Sequence, residues 1–212
     1  MYQRNEQEIL KNWKGDLNSP LVSICTITYN HEKYIAEALD SFLMQETNFP
    51  FEIAIDDDCS TDNAAEVITK YVEKYPNIIK ANLREKNIGG MKNFIENTKR
   101  AKGKYIALCE GDDYWTNPLK LQKQVDFLES HKEYNMVFHN AEYQDHTEKG
   151  VTIKPFNPEE KSRDYTADEI LIKWTIPTAS VVCRNEGQYR YLEDNLWFPI
   201  GDAPYFIKCA SL

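Results

Sequence analysis

From Leu21 onward the chain alternates short apolar runs with longer amphipathic stretches, and that rhythm restricts its fold more than any other feature. Leu21–Thr28, Phe51–Ile55, Ile78–Leu83, Tyr105–Cys109 and Met136–His139 read as strands. Between them, Glu32–Gln45, Asp62–Tyr75, Met91–Ala101 and Pro118–Ser130 read as helices. In the first, Ile35, Ala38, Leu39, Phe42 and Leu43 share one helical face; in the second, Val67, Ile68, Tyr71, Val72 and Tyr75 do. Strands alternating with helices imply βαβ units, hence an α/β fold with a mostly parallel central sheet flanked by helices. Such sheets bind ligands outside the carboxyl ends of their strands.

Those ends carry the chemistry. The run Tyr105–Cys109 stops abruptly in Glu110, Asp112 and Asp113. Like charges this close raise each other's pKa, and a divalent cation relieves the repulsion. Hard carboxylate oxygens suit Mg²⁺ or Mn²⁺. Phe51–Ile55 ends in Asp56-Asp57-Asp58-Cys-Ser60-Thr61-Asp62, more acidic groups than one helix cap needs, and reads as a ligand-facing loop. An EF-hand fails there because Thr61 takes the place of the glycine and Val67 that of the final glutamate. The first strand ends in Thr28-Tyr29-Asn30; Tyr29 suits either the core or a stacked base, worth ~1–3 kcal/mol. Asn87-Ile-Gly-Gly90-Met-Lys-Asn93 opens a helix, where glycines permit close approach of an anion. An aromatic, an acidic loop and a metal-suited carboxylate trio together fit a nucleoside diphosphate. Neither a Walker-A lysine nor a dinucleotide glycine fingerprint is present.

A net charge of −9 argues against nucleic acid as a partner and leaves an anionic ligand dependent on a metal or on backbone N–H groups. The five cysteines form no C-x-x-C pair and read as reduced core and loop thiols, as in a cytosolic protein. No apolar stretch approaches the length of a membrane span. His31, His131, His139 and His146 lack metal-ligand spacing.

The remaining segments are less regular. Ile9, Leu10, Trp13 and Leu17 lie at helical spacing in the polar residues 1–18, which suggests a short amphipathic helix packed on the domain. Residues 144–165, charged and without period, read as a surface loop. Thr166-Ala-Asp-Glu169 is a capping box opening a short helix through Trp174. Ala179–Cys183 is a late strand, and Gly201-Asp202 opens a final helix. The chain stops at Leu212 while still apolar, as a piece of a longer protein would.

Val22-Ser-Ile-Cys-Thr-Ile-Thr-Tyr-Asn30, Asp57-Asp58-Cys-Ser-Thr-Asp62, Asn87-Ile-Gly-Gly90 and Glu110-Gly-Asp-Asp-Tyr-Trp115 resemble, in order and spacing, the family 2 glycosyltransferases of the GT-A fold. The resemblance continues through Thr178-Ala-Ser-Val-Val-Cys-Arg184 to Ile200-Gly-Asp-Ala203. It implies a GT-A domain over residues 20–212 behind an N-terminal extension of residues 1–19. It also implies inverting transfer from a nucleotide-sugar donor, a UDP-sugar first, to a saccharide or lipid-linked acceptor, with Mn²⁺ or Mg²⁺. By position, Tyr29 stacks on the base, Asp58 bonds its polar edge, and Thr28 and Asn30 shape the pocket. Asp112 contacts the ribose or shares the metal, Asp113 ligates the metal, and Asp202 is the catalytic base. Asn93 and Glu110 join the donor-binding set; Glu110 departs from the family pattern, which places Asp first. The resemblance further implies a role in bacterial surface polysaccharide synthesis at the cytoplasmic face of the membrane. A non-catalytic sugar-nucleotide module and a nucleotidyltransferase of the same fold are the alternatives.

Overall fold

The computed structural model describes residues 4–147, 150–158, 161–172, 175–195 and 202–211. In chain order the elements are α1 (Glu6–Leu10), β1 (Val22–Thr28), α2 (Ile35–Leu43), β2 (Phe51–Asp57), α3 (Ala64–Lys74) and β3 (Ile79–Leu83). There follow α4 (Gly90–Lys99), β4 (Tyr105–Leu108), α5 (Lys120–Ser130), β5 (Met136–Val137), β6 (Glu142–Thr147) and β7 (Gly150–Pro155). Last come α6 (Ala167–Ile172), β8 (Val182–Arg184), α7 (Tyr189–Glu193) and α8 (Asp202–Ala210).

The main sheet has six strands in the order β3-β2-β1-β4-β8-β5. β3, β2, β1 and β4 run parallel, and β8 lies antiparallel between β4 and β5. Alternation along the strands sorts side chains into two cores, one on each face of the sheet. In β4, Tyr105 and Ala107 join the core under α2, α3 and α5, whereas Ile106 and Leu108 join that under α4, α6, α7 and α8. The chain steps outward from β1 to β2 and β3, then returns to β4 on the other side of β1. The loops leaving β1 and β4 therefore diverge around a crevice, the ligand position in open α/β sheets.

Four departures from expectation have physical causes. Residues 144–165 are not simply a loop: β6 and β7 form an antiparallel hairpin, with Gln144 opposite Ile153. Its strands are nearly all exposed; β6 is polar at most positions, and the short alternation of Val151 and Ile153 in β7 is too brief to stand out. The N-terminal helix is only Glu6–Leu10, closed at its start by a capping box between Asn5 and Glu8. Ile9 is buried in the main core and Trp13 packs edge-on against Phe51 at 4.8 Å, while Leu17 is exposed. The late strand starts at Val182 because Thr178–Ser180 form a 3₁₀ turn. Asp56, read as loop, is the fully buried penultimate residue of β2. Its carboxylate accepts from Arg84 Nη2 (3.0 Å), Arg100 Nε (2.7 Å), Asn82 Nδ2 (2.7 Å) and Asn97 Nδ2 (2.6 Å). A buried charge persists when paired and hydrogen-bonded in this way. The capping box at Thr166 and Glu169 forms as expected; Trp174 lies outside the described residues.

Candidate active site

Three loops at the carboxyl edge are tied together by side chain–backbone hydrogen bonds. Asn30, in the left-handed region with φ 58°, donates its N–H to Ser60 Oγ (2.9 Å) and accepts from Thr61 N at Oδ1 (2.8 Å). Asp57 accepts from Ser60 N (2.9 Å). Asp58 accepts from Ile88 N (2.8 Å) and Gly89 N (2.9 Å), closing the loop after β2 onto the start of α4. Above this fixed floor Tyr29 is 44% exposed, so its ring faces solvent instead of the core.

The fourth loop follows β4. Gly111 lets it cross the end of β1: its N–H donates to Ile27 O (3.0 Å), and a Cβ there would lie 2.7 Å from Thr28 Oγ1. Glu110 before it, and Asp112 and Asp113 after it, all reach solvent. Burial of the carboxyl by surrounding protein, then repulsion from Asp112, Asp113 and Asp202, pushes Glu110 up to about 7. Burial and Asp112 push Asp113 up to about 6, partly relieved by His31. Asp202, the first residue of α8, thus acts on a carboxyl 92 positions earlier (202 − 110): the fold brings it to the cluster. Thr178 Oγ1 donates to Asp202 Oδ2.

Of the residues singled out in the sequence, Tyr29, Asn30, Glu110, Asp112, Asp113 and Asp202 gather around this crevice. Two expected ligand contacts are placed otherwise. Asp58 is 2% exposed and both its oxygens already hold backbone N–H groups, so it secures α4. Asn93 is 1% exposed; it accepts from Arg84 Nε (2.7 Å) and donates to Asp56 O (3.0 Å), which makes it part of the buried network. Thr28 is also buried, with Oγ1 against Gly111. His31, set aside in the sequence for lack of metal-ligand spacing, has its Nε2 3.7 Å from Asp112 Oδ2. Its place directly after Tyr29-Asn30 at a strand end was the available signal. Thr178 and Tyr114 stood inside the quoted motifs without a role; the Tyr114 hydroxyl accepts from Gln144 Nε2 of the hairpin at 2.7 Å.

Among the described residues no three His, Cys, Asp or Glu side chains form a complete metal cage. Asp112 and Asp113 could supply only part of a metal's shell. Mg²⁺ commonly takes one or two carboxylates and completes its shell with water and substrate phosphates. Burial raises Glu110 and Asp113 most, and the repulsion from neighbouring aspartates that adds to it is what a cation relieves.

The sequence model of glycosyl transferase family 2 matches residues 23–185, well over half of the chain. The chain belongs to this family. It is 44% identical over 177 residues to an uncharacterised protein of Mycobacterium tuberculosis, covering 82% of this chain and 50% of that one. It is 33% identical over 147 residues to an uncharacterised glycosyltransferase of Methanocaldococcus jannaschii, covering 68% of this chain and 49% of that one. The chain spans about half the length of these relatives. Among solved structures, S. aureus TarS 1–349 in complex with UDP-GlcNAc superposes with a TM-score of 0.63 at 27% identity, over 89% of this chain and 52% of that one. The chain therefore has the GT-A fold of this family. No helix of the described residues is long and apolar enough to cross a membrane.

Proposed function

We propose that the protein transfers a sugar, with inversion, from a UDP-sugar to a saccharide or lipid-linked saccharide acceptor, using Mn²⁺ or Mg²⁺. The observation that carries this reading is that the charge of Asp202, from α8, reaches Glu110, while His31 of the Tyr29 loop lies 3.7 Å from Asp112. The TarS complex with UDP-GlcNAc, aligned over most of this chain, supports a uridine donor.

Tyr29 offers its face to the base, on a loop that Asn30 and Ser60 hold in place. Asp112 and Asp113 would hold the metal, with His31 beside Asp112. A cation held there would stabilise charge on the departing diphosphate. Asp202 accepts the proton of the acceptor hydroxyl as that oxygen bonds to the anomeric carbon. The bond from that carbon to the diphosphate oxygen breaks, and its electron pair leaves with UDP. Attack on the face opposite the leaving group inverts the anomeric centre. Surface polysaccharide assembly at the cytoplasmic face of a membrane is a setting that suits such an acceptor.

Calorimetry tests the donor site. UDP should bind the wild-type chain tightly only when Mn²⁺ is present, and Asp113→Asn should remove most of that gain. Equal UDP affinity with and without Mn²⁺ argues against the metal, and no UDP binding at all argues against the donor class. Binding without any release of UDP from a nucleotide-sugar supports a non-catalytic module.

A further inference from the structure

Asp202 opens its helix, yet its orientation is fixed from another part of the chain. Thr178 Oγ1 donates to its Oδ2. Thr178 belongs to the 3₁₀ turn that leads into β8, and the turn is bound at several points. Val181 N donates to Thr178 O (3.1 Å), Ser180 Oγ to Pro177 O (2.6 Å), and Gln124 Nε2 of α5 to Ser180 O (2.8 Å). The middle residue, Ala179, receives a hydrogen bond on its carbonyl from Trp115 Nε1 at 2.7 Å.

Trp115 is itself held on more than one side. Its ring centroid lies 4.9 Å from that of Phe42 in α2. Lys120 Nζ lies 4.2 Å from the same centroid. Lys120 is 5% exposed and its ammonium nitrogen has no hydrogen-bond partner. Burial lowers Lys120 to about 7, and its side chain packs against the face of the indole. Trp115 also lies two residues beyond Asp113, so the loop that bears the metal-suited carboxylates bears the clamp on the turn as well.

We infer that Thr178 is a positioning residue for Asp202, and that Trp115, clamped between Phe42 and Lys120, fixes the turn that carries Thr178. The arrangement sets the distance between the proposed base and the Glu110–Asp113 loop through rigid elements. The inference rests on the reading of Asp202 as base. A misplacement of about 1 Å in a reacting group can cost about a hundredfold in rate.

The test uses the purified chain with Mn²⁺ and whichever of UDP-GlcNAc, UDP-glucose or GDP-mannose the wild type hydrolyses fastest, following nucleotide release. Thr178→Val removes the donor at similar volume. It should lower kcat about tenfold to a hundredfold, leaving donor KM and the calorimetric Kd of the nucleoside diphosphate within about twofold. Thr178→Ser should restore kcat to within about threefold of wild type. Trp115→Phe, which keeps the ring contacts and removes the N–H, should also lower kcat without changing nucleotide affinity, and covers the case in which Thr178→Val does not fold. Wild-type kcat in Thr178→Val or in a folded Trp115→Phe overturns the inference, as does a loss that appears equally in nucleotide affinity. Asp202→Asn separates the two levels. If it retains turnover, the base assignment itself falls; if it is inactive while Thr178→Val turns over normally, only the positioning role falls. A wild-type chain that hydrolyses none of the three donors removes the reaction on which both rest.

Discussion

Glu110 shows how one carboxyl records its surroundings. Burial and three neighbouring aspartates raise it to about 7, so the folded protein keeps a proton that the unfolded chain releases between roughly pH 4.5 and 7. Stability contributed by this group is therefore greatest below that window and declines as pH rises through it. Without divalent cation, Glu110→Gln should flatten part of the fall in Tm between about pH 5 and 7.5, and an unchanged slope contradicts the assignment. Tyr29 makes a second residue-scale prediction. Tyr29→Ala should weaken UDP binding by ~1–3 kcal/mol while Tyr29→Phe leaves it nearly unchanged; equal losses would mean that the hydroxyl, and not the ring, makes the contact. Both residues were legible because each sits where an apolar run ends in an uncharacteristic group. The internal hydrogen bonds of Asp58 and Asn93 were not legible, for the opposite reason. Their partners, Ile88, Gly89 and Arg84, are separated from them by 9 to 31 positions, and local spacing cannot show which polar groups a fold will satisfy internally.

At the scale of elements, β2 and β3 are joined to α4 through Asp56. Four side chains from β3, from α4 and from the residues just beyond each converge on its carboxylate. Asp56→Asn leaves two guanidiniums without their counter-charge. Because Arg84 and Arg100 keep some contact with water, the loss should be about 2–3 kcal/mol, below the ~3–5 kcal/mol of a fully buried pair. Urea unfolding measures it; a change under about 0.5 kcal/mol would show that the network is dispensable. The helices α2 to α5 were readable because each buries one apolar face at helical period. The hairpin β6–β7 was not, since strands exposed on most positions owe their pairing to backbone hydrogen bonds and carry little hydrophobic pattern. The late 3₁₀ turn has no periodicity at all and is visible only in the fold.

Over the whole molecule, strand order explains why the site lies where it does. β1 and β4 are adjacent, and the chain leaves them in opposite directions, so the Tyr29 loop and the Glu110–Asp113 loop border the same crevice. The sequence made the alternation of strands and helices plain, and with it the edge on which ligands bind. The resemblance put Asp202 in the site, but no local pattern showed that its charge would be felt at Glu110, 92 positions earlier (202 − 110). That coupling is the basis for treating the carboxylates as one site with a metal side and a base side. Turnover of a nucleotide-sugar by Asp202→Asn, measured as nucleotide release with Mn²⁺ beside the Kd for UDP, tests this most directly. The account predicts UDP affinity within about twofold of wild type and turnover reduced by about 10²–10⁴-fold. Turnover close to wild type in a variant that still binds UDP would contradict it.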